Sequence, residues 1–171
     1  MAKHFNITGE LTQELLAPGD NVKISKISLT NIQKVSECKV DLYIEKALTG
    51  KFYLLKGVEL PIGATLIYDD ITFNNASGQF GLYIKLTDGA SFTMTGSIDV
   101  TGTNTNVPGT STLYTSELSE GDEIIVSGET RTIATITGDT TATVSAAWGS
   151  DLANDTSPDC NPTALVDVII N

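Results

Sequence analysis

The strongest constraint on this chain is a two-residue alternation of apolar and polar side chains. In KVDLYIE, Val40, Leu42 and Ile44 fall on one side, and Asp41, Tyr43 and Glu45 on the other. In QFGLYIKL, Phe80, Leu82, Ile84 and Leu86 oppose Gln79, Gly81, Tyr83 and Lys85. Successive side chains of a strand point to opposite faces, so this pattern buries one face of a sheet and wets the other, as in antiparallel strands. NVKISKISL alternates with a slip between Ile24 and Ile27, which predicts a bulge. KFYLLKGVELP, GATLIYDDITF and SFTMTGSIDV add short apolar runs broken by Gly, Pro or Asp. The turn signals APGDN, ALTGK, LPIGA, NNASG and TDGA recur along this part of the chain, and the last four leave strand-length segments between them. The expected fold is all-β, an antiparallel β-sandwich of jelly-roll or immunoglobulin-like kind. Only GELTQELLAPGD, with Leu11, Leu15 and Leu16, invites a helix; it is read either as a short helical arm or as a strand docking on a neighbour.

The alternation breaks twice. TGTNTNVPGT, residues 101–110, has little apolar content and reads as a linker, and GSDLANDTSPDCNPT, residues 149–163, is a second polar break. After it, ALVDVIIN returns to strand character, with Val166, Val168 and Ile170 on one face. Such a strand needs a sheet, and the simplest topology pairs it back into the first sheet system. Residues 1–100 plus 161–171 then form the sandwich, and residues 101–160 a small β-barrel-like module inserted at an exposed loop. Within the module, GDEIIVSGETRTIATI reads as a hairpin turning at Ser127-Gly128, with Ile124 and Val126 packing on Ile133 and Ile136. TTATVSAAW supplies a third strand after the TGD turn, and Trp148 closes the small core or marks its contact with the main domain. Thirteen of the 24 threonines lie between Thr101 and Thr143, which suits a thin module that must be strand-like yet soluble.

The formal net charge of −11 argues against a nucleic-acid partner, since that affinity rests on Lys and Arg neutralising phosphates. The charge is also uneven: residues 1–100 carry nine Lys against eleven acids, and residues 101–171 carry Arg131 alone against ten. The near-neutral part can approach another protein while the acidic part stays solvated. No apolar run is long enough to span a membrane, and the opening MAKHFNITGE has no apolar signal-type stretch, so synthesis in a cytosol is expected. Cys38 and Cys160 are read as two small thiols or as one disulfide. His4, the single histidine, reads as a surface residue; with the two cysteines it offers no zinc spacing. Asp69 and Asp70 are strand-end neighbours rather than a catalytic pair, and Asp151, Asn154, Asp155 and Asp159 read as a solvated loop whose spacing is not that of a calcium loop. Sequons at Asn6, Asn75 and Asn154 matter only in a secreted chain. No nucleophile, base and orienting group can be named together, so no catalytic residue, metal or cofactor is expected.

What remains is an interface. Tyr43, Phe52, Tyr53 and Tyr83 are candidates for an exposed aromatic sheet face. Phe5, Ile7, Leu11 and Leu15 near the start, and Val166, Val168 and Ile170 at the end, lie on strands expected at sheet edges and hence at neighbour contacts. Two stretches then carry a resemblance. STLYTSELSEGDEIIVSGETRTIATITGDTTATVSAAW resembles a small β-barrel module of tailed-bacteriophage structural proteins. ISLTN, VDLYI, FYLLKGVELPIGATLIYDDITFNN, GLYIKL and the closing VDVIIN resemble a β-sandwich of phage virion proteins. The resemblance implies a non-enzymatic virion structural protein, first a capsid decoration or cement protein binding the major capsid protein, as a homo-oligomer with a trimer favoured. Its alternatives are a tail or neck component, and a fibre or baseplate module whose aromatics and threonine-rich loops recognise host-surface glycan.

Overall fold

The computed structural model describes residues 2–76 and 79–171, so Ser77 and Gly78 of the NNASG turn lie outside the described residues. The chain divides into two compact units, Met1–Gln33 with Glu37–Asp88 and Ala164–Asn171, and Lys34–Ser36 with Gly89–Thr163. The first holds strands β1 (Lys3–Thr8), β2 (Gln13–Leu16), β3 (Lys23–Ile24), β4 (Ile27–Asn31), β5 (Cys38–Lys46), β6 (Gly50–Leu60), β7 (Thr65–Tyr68), β8 (Phe73–Asn74) and β9 (Gly81–Thr87). The second holds β10 (Phe92–Thr93), β11 (Ser97–Val100), β12 (Asn106–Thr110), the short helix α1 (Tyr114–Glu117), β13 (Glu123–Val126), β14 (Glu129–Gly138), β15 (Thr141–Val144), β16 (Leu152–Asp155) and β17 (Asp159–Asn161). The last strand, β18 (Leu165–Ile170), returns to the first unit.

The first unit is an antiparallel sandwich. One sheet runs β1-β18-β4-β7, the other β2-β9-β5-β6, and β3-β8 form a small ribbon. The alternating residues meet in one core: Ile7, Leu29, Val166, Val168 and Ile170 from the first sheet, and Val40, Leu42, Leu82, Ile84 and Leu86 from the second. Each such side chain contributes roughly 1.5–3 kcal/mol when withdrawn from water. Strand β18 lies between β1 and β4, with Val168 opposite both Phe5 and Leu29. It is therefore an interior strand and not the sheet edge expected from its terminal position.

Two local readings resolve differently from the simple alternation. The slip in NVKISKISL is a change of sheet, not a bulge: Ile24 ends β3, Ile27 begins β4, and both are fully buried. Between them the Ser25 and Lys26 N–H groups donate to the Asn171 carbonyl, at 2.8 and 3.1 Å. GELTQELLAPGD forms strand β2, paired with β9 through an irregularity at Leu15. That irregularity lets the consecutive Leu15 and Leu16 both point into the core.

In the second unit the strand order is β10-β17-β13-β14-β15-β12-β11-β16. Its core holds Ile98, Val107, Tyr114, Ile124, Val126, Ile133, Val144, Trp148 and Cys160, with Ile136 packed against it. The hairpin turns at Ser127 and Gly128, whose φ of 49° and 86° both lie in the left-handed region that a tight two-residue turn requires. Residues 101–110 are not a linker: β12 runs between β15 and β11. Its single inward apolar side chain, Val107, is fully buried, too little for apolar patterning to register. The polar stretch 149–163 likewise contains β16 and β17. SFTMTGSIDV, read as part of the sandwich, supplies β10 and β11 to this unit, so the boundary falls at Gly89. Its alternation is of the same kind as in the sandwich strands, and no composition break marks the change.

Candidate interface on the β9–β5–β6 sheet

Strands β9, β5 and β6 are in a register that places Tyr83 opposite Tyr43 and Tyr43 opposite Tyr53, while Glu14 of β2 stands opposite Tyr83. One row of side chains thus crosses four strands on the face turned away from the core. The rings of Tyr43 and Tyr83 stack at 5.7 Å, and those of Tyr43 and Tyr53 meet at 5.5 Å in a tilted pair. Tyr43 is only 2% exposed yet belongs to no hydrophobic core cluster; its neighbours in the row cover it.

Lysines complete the row. The Lys51 ammonium lies 4.4 Å from the centre of the Tyr43 ring and donates to its hydroxyl at 3.2 Å, a bond that is the main cause of its raised pKa. Lys56 lies 4.5 Å over the Tyr53 ring. The Tyr83 hydroxyl donates to Glu14 at 3.0 Å; burial first, and this bond second, raise its pKa. On the opposite side of the hairpin end, Phe52 and Phe80 meet edge to face at 5.9 Å beneath Lys46. The hairpin end therefore carries aromatic rings under lysine heads on both faces.

Backbone geometry sets this arrangement. The β5–β6 pairing is interrupted between Val40 and Leu42 and again between Leu42 and Tyr43, leaving extra residues on β6. Gly57, with φ of 60°, sits in the first irregularity, and its N–H donates to the Asp41 carboxylate at 2.6 Å. Such bulges bend an edge strand and blunt its pairing with another chain. At the tip, Leu48 adopts φ of 64° and is wholly exposed.

The predicted interface residues separate cleanly. Phe52 is 50%, Tyr53 41% and Leu11 80% exposed, and Tyr83 is half-buried. Phe5 packs partly against the core. Ile7, Leu15, Val166, Val168 and Ile170 are corrected: all five are buried core residues and offer no side chain to a partner. Their alternation was the mark of the inner sheet face. Sequence reasoning missed Lys46, Lys51 and Lys56 and the exposed Leu48; the available signal was KALTGKFYLLKGV, which carries three lysines and no acid.

The other candidates have local structural roles. Cys38 and Cys160 are free, buried, and belong to different core clusters. Burial pushes the Cys38 thiol up to about 11 and raises that of Cys160 further. Asp151 accepts the Gly102 N–H, Asp155 those of Ser127 and Ser157, and Asp159 the Thr93 hydroxyl, so each carboxylate ties a different loop. Among the described residues no three His, Cys, Asp or Glu side chains gather as metal ligands, and no helix is long and apolar enough to cross a membrane. His4, Asp69 and Asp70 are exposed.

No protein-family model matches the chain, and no curated protein matches it. Among solved structures, the PBSX exported protein XepA is similar at 11% identity and a TM-score of 0.30, covering 99% of this chain and 86% of its own. A complex of the Aeromonas sobria serine protease with its chaperone ORF2 is similar at 10% identity and a TM-score of 0.27, covering 100% of this chain and 26% of its own.

Proposed function

We propose that the chain is a non-enzymatic structural protein of a bacteriophage particle, a decoration or cement protein that binds the assembled capsid shell. The observation that carries this reading is the tyrosine row with its lysines. In a chain of net charge −11, the β9–β5–β6 sheet displays rings and ammonium groups in a cross-strand array that contributes nothing to the hydrophobic core. Aromatic side chains are what protein interfaces enrich, Tyr and Phe among them. A protein that binds only the assembled shell stabilises it by linkage, and many copies multiply a modest affinity. The motif resemblance to virion proteins supports the same reading.

The test is the copy number per purified particle, by quantitative mass spectrometry against the major capsid protein. Hundreds of copies are expected; a dozen or fewer moves the protein to the neck, tail or fibres, and absence from particles ends the virion reading. A fibre or baseplate role in glycan recognition is the second reading, favoured by the exposed rings of Phe52 and Tyr53. It requires saturable binding of the isolated protein to host cell-wall sugar.

A further inference from the structure

We propose that the end of the β5–β6 hairpin, residues 46–56, docks on the acidic residues of a second copy of this chain. The inference rests on reading the tyrosine–lysine sheet as a protein interface and names the occupant of its hairpin end.

Leu48 is the first argument. It is wholly exposed, and its φ of 64° is one that a branched side chain adopts at a cost which glycine or asparagine avoids. Folding of the single chain gives no reason for leucine there, whereas a partner's recess does. Phe52 and Tyr53 stand 50% and 41% exposed on opposite faces of the same hairpin, adding apolar area on either side of its tip. The bulged edge of β6 disfavours recognition by strand addition, so side chains carry the contact.

Charge selects the occupant. From Glu45 to Val58 the hairpin has three lysines against Glu45, which stands opposite Lys51, while residues 89–163 carry ten acids against Arg131 alone. Two hairpins facing each other across a two-fold axis would crowd their lysines together, so hairpin does not dock on hairpin. A hairpin against the acidic residues of another copy is complementary, whether exchanged reciprocally across a two-fold axis or repeated around a ring.

The experiment is sedimentation velocity on the purified full chain. Association is expected at about 0.05 M salt and should be lost near 0.5 M, where the Debye length is a few ångströms. Lys46→Glu/Lys51→Glu/Lys56→Glu and Leu48→Asp should each weaken association at least ~10-fold, a coupling typical of close complementary charges and buried anchors. Reversing the exposed Asp99, Glu120 and Glu123 to Lys should weaken it similarly. Circular dichroism confirms that each variant is folded. The decisive sample mixes Leu48→Asp, whose acids are intact, with the acid-reversed variant, whose hairpin is intact: each alone is monomeric, and together they form a 1:1 dimer. A monomeric wild type, association indifferent to the hairpin changes, or a mixture that stays monomeric overturns the proposal, as does a monomeric chain that co-sediments with anionic vesicles. The assay contains no particles, so its failure leaves the capsid reading to be judged by copy number alone.

Discussion

A β-carbon on Gly109 would lie 2.7 Å from both the Tyr114 hydroxyl and a methyl of Thr112, inside any permitted contact. Glycine holds that place because α1 packs its first residue against β12. Gly109→Ala should cost about 1–3 kcal/mol, typical of overpacking, seen as a lower urea midpoint with an unchanged slope. Cys38 carries a different signature. Burial, with the charges of Asp88 and Glu37 as smaller causes, raises its thiol from 9.0 to about 11. The folded state thus keeps a proton that the unfolded state releases above pH 9. Its contribution is fully present below that pH and is lost as pH rises to about 11, at about 1.4 kcal/mol per pH unit. Cys160, raised further by burial, and Tyr114, raised by burial from 10.0 to about 12, add further alkaline losses. Denaturation midpoints from pH 8 to 11 should fall for the wild type and fall less for Cys38→Val; equal falls would remove the thiol as a cause.

At the scale of elements, the hairpin of β13 and β14 shows what sequence patterning resolves well. Two alternating runs separated by Ser127-Gly128 define turn, register and buried face together. Serine is the weaker residue for the left-handed φ of 49° at 127, so Ser127→Asn should raise stability by ~0.5 kcal/mol, measured by thermal or urea unfolding. Asp122 shows the opposite case. Its buried carboxylate accepts the Ser119 N–H at 2.7 Å and the Thr163 N–H at 2.9 Å, joining segments some 40 residues apart. Nothing in GDEII separates it from an exposed turn aspartate. Asp122→Ala should cost about 2–4 kcal/mol by removing the acceptor of one buried and one half-buried N–H, each worth about 1–2. The same contrast runs through the candidate interface. Alternation placed Tyr43 and Tyr83 on the outer face of their strands, but only the cross-strand register brings Tyr53, Tyr43 and Tyr83 into one row. Val166, Val168 and Ile170 had the right periodicity and the wrong expected surroundings, because position in the sequence does not reveal whether a terminal strand lies at a sheet edge or inside it.

At the scale of the molecule, excursion and return were legible because VDVIIN cannot bury its apolar face without a sheet, whereas the boundary at Gly89 was not. Strands on either side of it obey the same alternation, and β12, β16 and β17 contain so few apolar residues that their strand character comes from their neighbours. Each unit nevertheless has its own core cluster. The ends of the second unit are held together, with β10 paired to β17 and the Met94 N–H donating to the Pro158 carbonyl at 2.8 Å. The points of departure and return in the first unit are held as well: the Ala164 N–H donates to the Asp88 carboxylate at 2.6 Å. A short loop can therefore span the gap, and shortening a loop lowers its closure entropy only slowly with length. A chain in which residues 89–163 are replaced by a Gly-Ser-Gly linker should keep an antiparallel far-ultraviolet spectrum and a single cooperative unfolding transition. Residues 89–163 expressed alone should show a second, independent transition with a buried Trp148 fluorescence signal. A molten first unit after excision would mean that the sandwich core is insufficient on its own, and that the acidic unit stabilises it as well as occupying its loop.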